Sequence, residues 1–303
     1  MIACTALSKW YGHVLGVGDV TLEIGGGVTG LLGPNGAGKS TFLKLVTGQL
    51  RPSRGSVRVL GEDPWDNPRV TAQMGFAPEQ DAMYEHLSAL EFVTELGRLG
   101  GAGAADARAR ARDTLARVGL ADAMNRAIGT YSRGMRQRTK LAQALAHDPR
   151  VLVLDEPLNG VDPLSRAELV ELIRALGAEG RVVLVSSHVL HEVEAMTRNI
   201  VLLAQGRLVA DGNIDAIRAL IDTHPHRVSV TCDRARALAQ HVLGWEDVLS
   251  VRLEGADTVV LETRAPDAAY ERLPREARAL GVRIRALSSP DSSLAAVFRF
   301  LVG

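Results

Sequence analysis

Short, nearly continuous apolar runs alternate with amphipathic stretches over the first two-thirds of the chain, and this rhythm predicts an α/β core. Residues 28–32, 57–60, 74–77, 151–155, 182–186, 200–204 and 208–211 read as strands, and 41–46 as a helix. Several of the strands lack polar alternation, as expected of a mostly parallel sheet covered by helices on both faces. Between 87 and 148 the period becomes that of helices alone, over 87–99, 104–118 and 135–147. This block reads as a helical subdomain inserted into a domain spanning 1–222. Near Thr223-His224-Pro225 the pattern predicts a linker. Beyond it come strand 227–231, helix 234–243, strands 248–253 and 258–263, helix 268–280, strand 282–287 and helix 293–301. The β-α-β-β-α-β order predicts a small α+β, ferredoxin-like domain over 223–303.

Composition narrows the class without naming a function. The 303 residues are 46% hydrophobic, ample for a core. No apolar run approaches the ~20 residues of a membrane span. The start Met1-Ile2-Ala3-Cys4-Thr5 lacks a basic segment followed by an apolar core, so no signal peptide is expected. Cys4 and Cys232 match no metal or redox spacing and read as free thiols in a reducing cytoplasm. Acidic and basic residues balance at 35 each, which gives no electrostatic case for nucleic acid.

The chemistry begins at Gly33-Pro34-Asn35-Gly36-Ala37-Gly38-Lys39-Ser40-Thr41, which fits G-x-x-x-x-G-K-[ST] between a strand and a helix. Glycines let successive backbone N–H groups close around an anion, Lys39 adds positive charge for terminal phosphates, and Ser40 offers a hydroxyl to Mg²⁺. A nucleoside triphosphate is the expected ligand. The strand Val151-Leu152-Val153-Leu154 ends in Asp155-Glu156. Carboxylates at a core edge are costly unless they are used, and neighbours on a strand point to opposite sides. Asp155 can join Ser40 on Mg²⁺, while Glu156 can face the nucleotide and act as general base toward water. The pairing favours hydrolysis over transfer to a second substrate.

Tyr131-Ser132-Arg133-Gly134-Met135-Arg136-Gln137-Arg138 resembles the L-S-G-G-Q signature of ABC ATPases, and it stands in that family's order of loop, helical insert, signature, acidic strand and histidine. Ser132 reads as the N-cap of a helix and Gly134 as a point of close approach. The resemblance implies ATP as ligand with Mg²⁺. It also implies that Ser132 and Gly134 face the γ-phosphate held by a second ATPase subunit, either another copy or a close paralogue. It places Asp162, in Asn159-Gly160-Val161-Asp162, on the loop crossing the dimer, and His188 at the γ-phosphate, where it helps place the water. Tyr11 becomes the aromatic that stacks on adenine, with Trp10 its rival.

The chain departs from the family pattern at Arg133 and Met135, and at Glu79, where the family has a glutamine that binds Mg²⁺. Gln80 follows one place later. Such variants are similar to the branch whose ATPase is a separate polypeptide driving an exporter permease, and segment 292–298 resembles that branch's C-terminal end. The expected partners are integral membrane permease subunits, docked through 79–87 with Met83, Tyr84 and Leu87. The expected location is the cytoplasmic face of the cell membrane, peripheral through the permease. The alternative is a soluble ABC-type mechanoenzyme in DNA repair or translation. One cassette, a short insert and no basic stripe weigh against it.

Overall fold

The computed structural model describes residues 1–221 and 226–288. The expected linker at 223–225, the helix 293–301 and the segment 292–298 lie outside the described residues. The chain forms two compact units, Met1–Asn213 and one opening at Ile214, so the boundary falls ahead of the expected break after 222. Helix Ile214–Ile221 consequently belongs to the second unit.

The first unit holds a six-stranded sheet in the order Met74–Ala77, Val151–Asp155, Val182–Ser187, Gly27–Leu32, Asn199–Ala204, Arg207–Asn213. The first five strands are parallel and the last is an antiparallel edge. A second sheet was not expected from the sequence beyond the strand 57–60. It is antiparallel, with Val14–Ile24 and Arg54–Val59 flanking Ile2–Tyr11. Its strands carry register shifts, and Ala6 and Asp19 take left-handed φ of 47° and 53°. Each bulge flips the in/out pattern, so the period of two that would announce a strand is lost.

Helix Lys39–Val46 lies between the two sheets. Phe42, Leu43, Leu45 and Val46 are fully buried in a core shared with Ile2, Leu7 and Ile24 of one sheet and Leu31, Val153 and Leu184 of the other. An eight-residue helix is marginal in isolation, so this double-sided burial is what holds it in place. The helical block consists of Ala89–Leu99, Ala104–Arg117 and Arg133–Leu145. Its first helix starts two residues later than expected. Ser88 accepts from the Glu91 N–H while the Glu91 carboxylate accepts from the Ser88 N–H, closing a reciprocal cap. Helices Pro163–Ala178 and Leu190–Met196 complete the connections.

The second unit has a four-stranded antiparallel sheet ordered Val248–Glu254, Thr258–Thr263, His226–Cys232, Ile284–Ser288. Helices Ala235–Val242 and Pro266–Ala279 supply Leu238, Val242 and Leu273 to a core with Val228, Val230, Val259 and Leu261. The third strand inserts between the first and second, which is the split-βαβ arrangement.

Candidate functional site

Parallel register brings the chemistry to one edge. Leu31 and Asp155 both pair with Ser186, and Ala77 pairs with Leu154, so strands 27–32, 74–77, 151–155 and 182–187 end together. Ligands of open α/β sheets collect outside these carboxyl ends. A cavity of about 530 Å³ opens there. The loop residues Pro34, Asn35, Gly36, Gly38, Lys39, Ser40 and Thr41 form one wall. Tyr11, Glu79, Asp155, Glu156 and His188 close the others, together with Leu15, Gly16 and Asn159. Gly33 and Ala37 are buried behind the loop and do not line the cavity. Gly38 has φ 101°, and a Cβ there would meet the Gly16 carbonyl at 2.4 Å, so both conformation and space demand glycine.

Inside the cavity the carboxylates are tightly placed. Ser186 Oγ donates to Asp155 Oδ1 at 2.6 Å and accepts from the Glu156 N–H at 2.9 Å. Glu156 sits at the left-handed φ of 48°, turning its side chain away from the strand direction. Its Oε1 lies 3.5 Å from Lys39 Nζ and its Oε2 2.9 Å from His188 Nδ1. Lys39 Nζ also donates to the Gly33 carbonyl at 2.7 Å. Burial pushes the Asp155 carboxyl above its ordinary range, and the charge of Glu79 adds to this, opposed by the Ser186 hydroxyl and by Lys39. Two carboxylates and the Ser40 hydroxyl are hard oxygen donors, and a divalent cation among them would offset both the burial and the Glu79 charge that raise Asp155. The donor set suits Mg²⁺.

Of Glu79 and Gln80, Glu79 lines the cavity and accepts from Asn159 Nδ2 at 3.5 Å, while Gln80 is not part of the cavity wall. Tyr11, not Trp10, reaches the cavity. Its ring crosses Gly16, and its hydroxyl is 3.5 Å from Thr41 Oγ1.

Ser132, Gly134 and Asp162 are gathered elsewhere in the same unit. Ser132 Oγ accepts from the Met135 N–H at 3.3 Å, and Asp162 Oδ1 accepts from the Ser165 N–H at 3.0 Å, so two helix N-termini lie side by side. A Cβ on Gly134 would stand 3.1 Å from Ser165. Hydrogen bonds from Ser165 hold the Asp162 carboxyl below the usual range. Arg133, the departure from the signature, packs over Gly160.

Sequence reasoning missed Ser186, which bridges the Asp155 carboxylate and the Glu156 backbone N–H, and Asn159 as a wall residue. The apolar run Val182–Ser187 ends in two serines, the same kind of polar ending that singled out Asp155. Behind His188, Ser187 Oγ donates to the buried Glu192 at 3.0 Å, and Glu192 pairs with Arg166, which donates to the Val161 carbonyl. Segment 159–162 and the histidine strand are thereby tied together. Tyr84 is exposed, while Met83 and Leu87 are half-buried. Among the described residues no helix is long and apolar enough to cross a membrane.

A family model described as "ABC transporter" matches residues 17–159. The daunorubicin/doxorubicin resistance ATP-binding protein DrrA of Streptomyces peucetius is 33% identical over 311 residues, covering 100% of this chain and 92% of its own. YxlF of Bacillus subtilis, an uncharacterized ABC transporter ATP-binding protein, is 36% identical over 76% of this chain and 77% of its own. Among solved structures, an ATP-binding subunit of an ABC transporter superposes with TM-score 0.66 at 30% identity, covering 73% of this chain and 93% of that one. The dimeric structure of MJ0796, a bacterial ABC transporter cassette, superposes with TM-score 0.65 at 26% identity, covering 71% and 99%.

Proposed function

The chain belongs to the ABC transporter family as an ATP-binding protein, and from that premise we propose that it hydrolyses ATP to drive a separate exporter permease. The observation that carries the reading is Glu156, held between Lys39 and His188 at the mouth of the phosphate loop. The loop amides and Lys39 would bind the triphosphate, Tyr11 would stack on the base, and Ser40, Asp155 and Glu79 would hold Mg²⁺. The metal supplies neutralisation of charge on the terminal phosphates. Glu156 takes the proton of the attacking water, and His188 orients Glu156 through its Nδ1.

A second ATPase subunit completes the site. Ser132, Gly134 and Asp162 do not line the chain's own cavity, yet two helix N-termini with backbone donors suit a phosphate presented from outside. Closure on ATP and reopening after hydrolysis would move the permease, since ATP favours the closed dimer by its differential affinity. The full-length match to a resistance protein supports export, and the exposed Tyr84 supports docking through 79–87. The chain would then work on the cytoplasmic face of the membrane, peripheral through the permease.

Glu156→Gln tests the chemistry. The amide keeps the shape but cannot take a proton, so kcat should fall by about 10²- to 10⁴-fold while ATP still binds and a dimer accumulates in size-exclusion chromatography. Turnover at the wild-type rate would remove Glu156 from the mechanism. Lys39→Ala should instead weaken ATP binding itself. Affinity purification that recovers no integral membrane protein would count against the permease.

A further inference from the structure

Lys140 lies on helix Arg133–Leu145 and is only 2% exposed, among the largest fully buried side chains in the described chain. An ammonium carries three N–H donors. Three oxygens face this one: the Pro78 carbonyl at 3.1 Å, the Glu79 carbonyl at 2.8 Å and Asp81 Oδ1 at 3.0 Å. All three belong to one short segment that forms neither helix nor strand, and its side chain at 79 enters the cavity. The same helix begins at Ser132, about 12 Å away along the axis at 1.5 Å per residue.

We propose that Lys140 is a positioning residue that sets Glu79 in the nucleotide cavity and makes its placement follow the helix that starts at Ser132. A buried lysine could serve packing alone. Packing would need only the stem, whereas here the ammonium makes two hydrogen bonds and an ion pair, all to one irregular segment whose carbonyls have no ladder partner to hold them. The buried member is the Lys140 ammonium, and stripping a buried charge of its oxygens is costly, so the segment follows Lys140 wherever the helix goes. Tilting of the helix would carry Glu79 with it, linking the chain's own ATP to the surface offered to the second subunit. This inference rests on the cavity being the ATP site.

A double-mutant cycle in the full chain tests it. The wild type, Lys140→Met, Glu79→Ala and the double variant are compared by kcat, KM and the Kd of a fluorescent ATP analogue. Lys140→Met should lower kcat about tenfold and leave the Kd within about threefold, because the phosphate loop is untouched. The double variant should be no slower than the slower single variant, since Lys140 then has no Glu79 to place. Additive losses, or wild-type kcat in Lys140→Met, would overturn the proposal. If Lys140→Met does not fold, Lys140→Gln enters the same cycle, and failure of both would assign Lys140 to stability alone. A wild-type chain that binds no ATP would instead sink the reading of the cavity. ATP binding with additive losses removes only the role of Lys140.

Discussion

Replacing Ser186 with alanine removes a hydroxyl that bridges the Asp155 carboxylate and the Glu156 backbone N–H. Ser186 is fully buried, so the change deletes an oxygen and leaves the packing around Cβ intact. Its bond to Asp155 Oδ1 at 2.6 Å is to a carboxylate, a class worth about 1.5–3 kcal/mol. The Glu156 N–H, which donates to Ser186 Oγ at 2.9 Å, loses its acceptor, and an unsatisfied buried donor costs about 1–3 kcal/mol. Part of this is returned when Glu156 relaxes from φ 48°, a conformation that costs a non-glycine residue about 1–2 kcal/mol. The balance is a loss of about 3 kcal/mol, or roughly 6–12 °C in Tm for a unit of this size. Glu156 would then no longer be pinned opposite Lys39 and His188, and a displacement of about 1 Å can reduce kcat by about 10²-fold. Thermal unfolding by differential scanning fluorimetry and steady-state ATPase assays read the two effects separately. A Tm within about 1 °C of wild type would show that Ser186 holds neither the Asp155 carboxylate nor the Glu156 backbone in solution.

Two further predictions concern buried groups away from the phosphate loop. Glu192→Ala should lower the urea midpoint by an amount equivalent to about 1–2 kcal/mol, below the usual figure for a broken buried pair because Arg166 is a third exposed; Arg166→Met on that background should add little. Burial pushes the Cys4 thiol up to about 12, so the folded chain keeps a proton that the unfolded chain releases above about pH 8.5. Stability contributed by this burial is complete below that pH and declines as pH rises toward about 12. By about pH 10 the loss is about 2 kcal/mol, and Cys4→Ala should flatten the slope of urea midpoint against pH.

Local patterns in the chain carried much of the architecture. The apolar runs at 151–155 and 182–186 could only be strands covered on both faces, and the structure has them adjacent in the parallel sheet. The β-α-β-β-α-β order after 226 specified a split-βαβ unit because hairpin and crossover rules leave few arrangements. The hairpin strands Ile2–Tyr11 and Val14–Ile24 were illegible for the opposite reason, since their bulges break the period on which recognition depends. At the site, contiguous residues were readable by themselves, whereas Tyr11, Glu79 and His188 were named only through the family resemblance. The phosphate loop announces itself because its glycines and Lys39 are neighbours in sequence, and Asp155-Glu156 because charge ends an apolar run.

Ser186 carries only a weaker form of that mark, two uncharged serines closing an apolar run, and Lys140 carries none. Their partners lie 30 and about 60 residues away, and only the sheet register and the seat of helix Arg133–Leu145 bring them together. The sequence alone singled out the residues we propose hold a triphosphate and activate the water that attacks it. Tertiary structure decided which groups hold those in place, and it kept Ser132 and Gly134 away from the chain's own cavity. The physical reason is that backbone conformation and charge are local properties of a few residues, whereas burial and hydrogen-bond partnership are fixed only when remote segments meet.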